Sequence, residues 1–301
     1  MQDSSPVTVE NIWMPTWKPV EPHFDISNLK PVTGRPKIQV YLKQLWQRRY
    51  FIIAESKAKA FQSSRNMILG HAWLILSPLL DAIVYGVVFG YLLKTSKGVD
   101  HFIPFLFIGV TYFSFVTRPL MGGVGLIRGN RNVIKAFAFP RASLVISNSI
   151  RDFIDSLPVI VMSLVVVVFL PQGTGRPYLT WLLFPIVYLL LFVFGLGLCF
   201  FSAWATSIIP DLRTIFTFFT RFWFYISGVF FSVSRFKEHP EIIAVMESNP
   251  AYLILDMIRD VLIYNRVPSV YHWTFLTICS FGTLVISFIL FWSREVHYAK
   301  G

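Results

Sequence analysis

The chain has 301 residues, 54% hydrophobic and 14% charged, with a mean hydropathy of +0.58. Soluble domains carry roughly 25% charged residues, and one of this length cannot hide so much apolar side chain in its own core, so the solvent is a bilayer. The formal net charge of +11 arises from one-sided placement of Lys and Arg, which points to anionic lipid head groups and away from nucleic acid.

Residues 1–35 hold five prolines and little apolar periodicity, and read as a disordered cytoplasmic tail. From about Lys37, the stretch KIQVYLKQLWQRRYFIIAESKAKAFQSSRNMI sets Ile38, Leu42, Leu45 and Ile52 at helical spacing among Lys43, Arg48, Lys57 and Lys59. That pattern predicts a basic amphipathic helix, too polar to span, lying in the membrane interface. Six apolar runs follow at about 70–93, 101–127, 143–170, 178–207, 214–231 and 271–292, each able to cross roughly 30 Å of hydrocarbon. No short apolar leader precedes them, so the first run serves as its own insertion signal. Cys199 and Cys279 both lie inside apolar runs, which implies neither a disulfide framework nor a metal cluster.

With the amino terminus inside, 17 Lys and Arg fall on cytoplasmic segments and seven on external ones. This asymmetry predicts a multi-pass protein with both termini cytoplasmic. It also places RGNRNVIKAFAFPR (128–141) on the cytoplasmic face between the second and third runs. The segment 232–268 is external by the same count, yet NPAYLILDMIRDVLIYN within it is half apolar. Asn249 caps a helix that Pro250 starts, and Asp256, Arg259 and Asp260 form one charged stripe with an internal ion pair. A shorter helix over 240–246 precedes it, and the two read as re-entrant helices packed against protein.

Charge inside the runs is costly and tends to face a bundle interior or a wet path. Asp81 and Arg118 are each candidates for a static partner or a pore lining. Asn148, Asp152 and Asp155 in NSIRDFID are similar to the magnesium motifs of membrane prenyltransferases, but the spacing is one residue short and no second motif faces them. Arg151 and Asp155 instead fall at i and i+4. A structural polar patch, a transport role and magnesium chemistry all remain open there. The fifth run, TIFTFFTRFWFYISGVFF, is aromatic on every side; aromatic faces stack on sugar C–H faces, but they also meet lipid and form interfacial belts. No GxxxxGK[ST], GxSxG or HExxH motif occurs, so energised work requires a partner.

Four stretches together resemble the membrane subunit of ABC-2 type exporters, in the polysaccharide branch that serves O-antigen, teichoic acid and cell-wall galactan. They are LGHAWLILSPLLDAIVYGVVFG, RGNRNVIKAFAFPR, PDLRTIFTFFTRFWFYISGVFF and NPAYLILDMIRDVL, in order within residues 38–297. The tail before residue 36 has no counterpart in the family's minimal pattern, and SGVFF replaces a proline-containing end of the fifth span.

The resemblance implies an all-α integral membrane half-transporter in a bacterial plasma membrane. It would have six transmembrane helices in an ABC-2 domain over 36–301, a coupling helix at about 128–139, and external gate helices at about 240–264. Two copies would form a channel above two separate nucleotide-binding subunits. Those subunits would bind ATP and magnesium, leaving this chain without a cofactor or catalytic residue. The cargo would be a polysaccharide linked to a polyprenyl diphosphate. On the coupling helix, Val133, Ile134 and Phe137 would fill a groove of the ATPase, with Arg131, Asn132 and Lys135 around them. Trp73, Tyr85, Tyr112, Phe115, Phe216, Phe219 and Trp223 are the candidates for the channel lining. Arg48 and Arg49 are candidates for holding the diphosphate or a lipid head, and Asn249, Asp256, Arg259 and Asp260 for the external gate. An ABC-2 exporter of a small drug or lipid, and a membrane prenyl- or glycosyltransferase, are the alternatives.

Overall fold

The computed structural model describes residues 37–63, 72–92, 101–137, 139–169, 174, 176–233 and 238–300; the segment 1–35, read above as a tail, lies outside them. All regular structure among these residues is helical. The segment expected at the interface forms α1 (Ile38–Gln47) and α2 (Arg49–Ser63). The first run forms α3 (Ala72–Leu92), α-helical to Tyr85 and π-helical beyond it. Next come α4 (Phe102–Gly123), the short α5 (Leu126–Gly129) and α6 (Arg131–Ala136), then α7 (Ala142–Phe169). A 3-10 turn over Leu179–Leu183 leads into α8 (Phe184–Ile208), followed by α9 (Leu212–Ile226), α10 (Pro240–Glu247), α11 (Pro250–Leu262), α12 (Val270–Ser293) and α13 (His297–Lys300).

Five of these segments are long and apolar enough to cross a membrane: α3, α4, α7, the 3-10 turn with α8, and α12. The chain is therefore a multi-pass membrane protein. The fifth expected run, 214–231, is helical only to Ile226. At 1.5 Å per residue its 15-residue helix reaches roughly 22 Å, short of a full crossing. The interfacial helix also departs from the single element expected, since it breaks at Arg48 (φ −92°, ψ 8°). Its first half buries Tyr41 and Leu45 and exposes Leu42 and Trp46, while α2 packs against α7 through Ile52 and Ser56.

Buried side chains fall into two main clusters. One joins α4, α7 and α8 to α11 and the end of α9, and includes Tyr112, Phe115, Tyr188, Trp223 and Ile258. The other lies at the opposite, basic end, where Tyr41, Ile127, Ile134, Phe139, Phe200, Phe291 and Tyr298 gather.

Glu295 ties that basic end together. Only 2% exposed, its carboxylate accepts from the Tyr41 hydroxyl at 2.8 Å, from the Arg141 backbone N–H at 3.0 Å and from the Arg141 guanidinium at 3.1 Å. The Tyr41 oxygen accepts in turn from the Ala142 N–H. Burial, then the neighbouring carboxylate, hold the Tyr41 phenol well above its usual range, so it stays a neutral donor. Three stretches remote in sequence meet at one acid. Glu295→Ala should cost roughly 3 kcal/mol, since it leaves a partly buried guanidinium and a buried hydroxyl without their acceptor. Faster proteolysis between Lys37 and Lys59 would report α1 coming loose, and a cleavage rate equal to that of the unsubstituted protein would contradict the tie.

Candidate functional site

At the end of the bundle away from Glu295, the backbone after α9 leaves the helix. Gly228 takes φ +61°, a left-handed conformation that side chains with a Cβ rarely adopt. The carbonyls freed here sit among buried residues, Ser227 to Phe230. Apolar surroundings make unpaired carbonyls expensive, and Arg259 of α11 satisfies them. Its side chain, 1% exposed, donates from Nη1 to Gly228 O at 2.9 Å and from Nη2 to Val229 O at 3.0 Å. Nε and Nη2 also reach Phe105 O of α4 at 3.3 and 3.2 Å. The guanidinium carbon lies 3.4 Å from the Phe105 ring centroid, a cation–π contact within a dry site. Gly109 makes room, because a Cβ there would meet Arg259 Nη2 and Val229 O. One side chain thereby fastens α11 to α4 and to the broken end of α9.

Asn249 reinforces the joint. As expected it caps α11, accepting from Ala251 N–H at 3.1 Å. The same oxygen accepts from the Trp223 indole at 2.9 Å, and the amide donates to Ser227 Oγ at 3.0 Å.

The expected ion pair within the stripe does not form. The described ion pairs include neither Asp256 nor Asp260, because the Arg259 fork is spent on carbonyls. Burial lowers Arg259 to about 10 against the opposing pull of Asp256, so it remains charged at neutral pH. Burial likewise raises Asp256, opposed by Arg259. Asp260 is raised to about 6 by burial and then by Asp256. A folded value above the ordinary 3.8 means that stability is highest below pH 4 and is lost as pH rises through about 6. The loss should be about 1 kcal/mol, since solvent screens this partly exposed group. Melting temperatures between pH 4 and 7 should fall for the unsubstituted protein and fall less for Asp260→Asn; parallel curves would contradict the assignment.

At the basic end, the segment 126–137 folds as α5 and α6 with Asn130 between them. Arg131, Asn132 and Lys135 are exposed, Val133 is 43% exposed and Phe137 is 65% exposed. Ile134 departs from its expected role. It is 3% exposed and belongs to the same buried cluster as Ile127, Phe139 and Tyr298, so it anchors the segment to its own chain and offers nothing to a partner. On a helix of six residues only one side faces inward, and Ile134 occupies it.

The seven aromatic candidates divide. Tyr112 donates to or accepts from Ser163 Oγ at 2.8 Å and is fully enclosed. Phe115 and Trp223 are also buried, packed edge-on against Tyr112 and Phe113 respectively. These three are packed into the core of this chain, Phe115 also bordering the small cavity beside Arg118. Tyr85 and Phe216 are partly buried, Tyr85 among Phe89, Phe224 and Phe230 and Phe216 against Phe201. Trp73 and Phe219 are exposed at 40% and 44%. The structure also resolves what the sequence left ambiguous in α9. Ile215, Phe218, Phe219, Phe222 and Tyr225 form one exposed row at helical spacing, while Phe216, Trp223 and Phe224 turn inward.

Arg49 already has partners, donating to Trp46 O at 3.0 Å and Tyr50 Oη at 3.2 Å with both rings beneath its guanidinium. Beside it an apolar cleft of about 630 Å³ runs between α1 and α2 on one side and Ile150, Phe200 and Phe288 on the other. Arg48 stands at the break between α1 and α2, exposed. Within the bundle, Arg151 pairs with Asp155 at 3.4 Å, and Asn148 donates to Asp152 at 3.5 Å. Asp81 is exposed and no described ion pair joins it to Arg118. Arg118 and Asp152 instead line one cavity of about 20 Å³ with Ser149 and Tyr188.

Comparison with known proteins gives this architecture a family. Over 264 residues the chain is 24% identical to a Myxococcus xanthus protein named O-antigen export system permease protein RfbA, covering 86% of this chain and 98% of that one. Two Klebsiella pneumoniae proteins of the same name match over 142 residues at 27% and 25% identity, each covering 45% of this chain and 52% of theirs. The model of the ABC-2 type transporter family matches residues 52–263, from the start of α2 through the Arg259 joint, and the chain belongs to that family.

Proposed function

We propose that this chain is the channel-forming subunit of an ATP-driven exporter that moves a lipid-linked polysaccharide out of the cytoplasm of a bacterium. The observation that carries the reading is the exposed row on α9, Ile215, Phe218, Phe219, Phe222 and Tyr225. Flat aromatic surfaces unused by the chain's own core suit a sliding glycan or a second subunit. A long polymer needs a continuous lining, which one subunit with α3 and α9 open on one side does not enclose. Two copies would therefore face one another, with Trp73 and Phe219 at the path and α9 completing the sixth crossing through the segment that Arg259 holds. The names of the relatives support polysaccharide as cargo, and the absence of a P-loop motif supports a separate ATPase that binds ATP and magnesium. Phe137 and Val133, with Arg131, Asn132 and Lys135 around them, present the surface for that ATPase. On this reading both termini and the Glu295 end are cytoplasmic, Arg48 and Arg49 lie where a diphosphate head would enter, and the α10–α11 pair with Asn249, Asp256, Arg259 and Asp260 forms the external gate.

Depletion of the protein should trap lipid-linked polymer on the cytoplasmic face, and an ATPase should co-purify with the full chain. Continued export after depletion would refute the reading, as would recovery of a glycosyl or prenyl transfer activity in the isolated chain.

A further inference from the structure

A cleft of about 550 Å³ opens at the Glu295 end, between α5 and α6 on one side and the segment after α12 on the other. Arg128, Arg131, Arg294 and His297 line it, and none of the described lining residues is acidic. The nearest acid in sequence, Glu295, is buried and committed to Tyr41 and Arg141. The remaining wall is largely apolar, from Ile127, Ile208 and Tyr298. Tyr298 turns its hydroxyl inward to Phe291 O at 3.0 Å, and the Ser207 hydroxyl donates to Trp204 O at 2.6 Å. The cleft thus offers concentrated positive charge above an apolar floor, with few neutral hydrogen-bonding groups. It also sits where two of the apolar spans, α8 and α12, end, which is where head groups meet a spanning helix.

We propose that this cleft binds the phosphate-bearing head group of a lipid in the adjoining leaflet. Arginine forks match phosphate oxygens two at a time, and the apolar floor receives the first carbons of the lipid. An acidic peptide fits less well, because its backbone would find almost no hydrogen-bonding partners in the cleft. The site shares Arg131 with the surface proposed for the ATPase, so its test uses Arg128 and Arg294, which that surface does not employ. It lies against α6, so an occupant would also steady the segment that presents Phe137.

The full chain in nanodiscs of a zwitterionic lipid, titrated with phosphatidylglycerol, tests the proposal. Losing a direct charge-assisted contact to a phosphate oxygen weakens binding roughly tenfold, so the pair Arg128→Gln with Arg294→Gln should weaken binding about a hundredfold. The control pair Lys43→Gln with Lys57→Gln removes the same charge from the exposed side of α1 and α2 and should change binding less than threefold. Helix content by circular dichroism must match across all variants, and a single Arg294→Gln variant serves if the double variant is unstable. Parallel titrations with a polyprenyl diphosphate and with inorganic pyrophosphate separate the sources. A selective loss for either lipid supports the cleft and names its occupant. Equal losses in both pairs would reduce the effect to net charge and overturn the proposal. So would unchanged lipid binding accompanied by loss of a co-purifying protein, which would make the cleft a docking site for an acidic partner.

Discussion

Replacing Arg259 by Ala or Met should destabilise the protein by about 3–5 kcal/mol, because three buried carbonyls lose a charged donor at once. The effect should exceed that of any other single substitution in α10 or α11. Arg259→Lys should rescue little. An ammonium concentrates its donors at one point, whereas the acceptors Phe105 O, Gly228 O and Val229 O are spread around a planar fork. Thermal unfolding in detergent, followed by size-exclusion chromatography, measures the loss, and a Lys variant with an unchanged midpoint would refute the account. Gly109→Ala should move the midpoint in the same direction, since its Cβ competes with the guanidinium for space. Because Arg259 carries no ion pair to Asp256 or Asp260, Asp256→Asn should be far milder than Arg259→Met.

Phe137→Asp should separate folding from coupling. Phe137 is 65% exposed, so the substitution strands no core side chain and the melting temperature should hold. If Phe137 anchors an ATPase groove, its loss should weaken the complex by at least about 2 kcal/mol, near thirtyfold. Export should fall while ATP hydrolysis by the separate subunit persists. Ile134→Asp should behave differently. A carboxylate placed among Ile127, Phe139 and Tyr298 should unfold the basic end itself, lowering the yield of inserted protein. Two substitutions three residues apart thus give distinct readouts. Equal effects on melting temperature would overturn the assignment of their faces.

The spanning helices were legible in the sequence because long apolar runs leave a bilayer-embedded chain few alternatives. Asn249 with Pro250, and Arg151 with Asp155, were legible for a related reason, since each is a local relation set by helix geometry. The Arg259 joint was not, because its acceptors at Phe105 and Gly228 lie 154 and 31 residues away. A hint existed in Ser227–Gly228, a turn-prone pair before the end of an apolar run, which marks where the helix stops. The break at Arg48 carries neither Gly nor Pro and left no local trace. The aromatic candidates divided between core and surface because composition carries no direction. Tyr112, Phe115 and Trp223 have the same chemistry as Phe218 and Phe222, and only the packed neighbours decide which rings face inward. Ile134 and Phe137 were merged for the same reason, on a helix too short for periodicity to assign a face.

The Glu295 tie also sets an order of events. Chains are made from the amino terminus at about 5–20 residues per second, and Tyr41 must wait for an acceptor 254 residues downstream. That interval lasts roughly ten to fifty seconds. During it α1 has no fixed seat and Arg141 no carboxylate, while the spans between them enter the bilayer. The exposed Leu42 and Trp46 allow α1 to wait at the lipid surface instead of in water, where its apolar side would invite aggregation. Closure of the basic end therefore has to follow synthesis of the spans between Tyr41 and Glu295, and quality-control proteases would meet the nascent chain with its amino-terminal helix still unlatched.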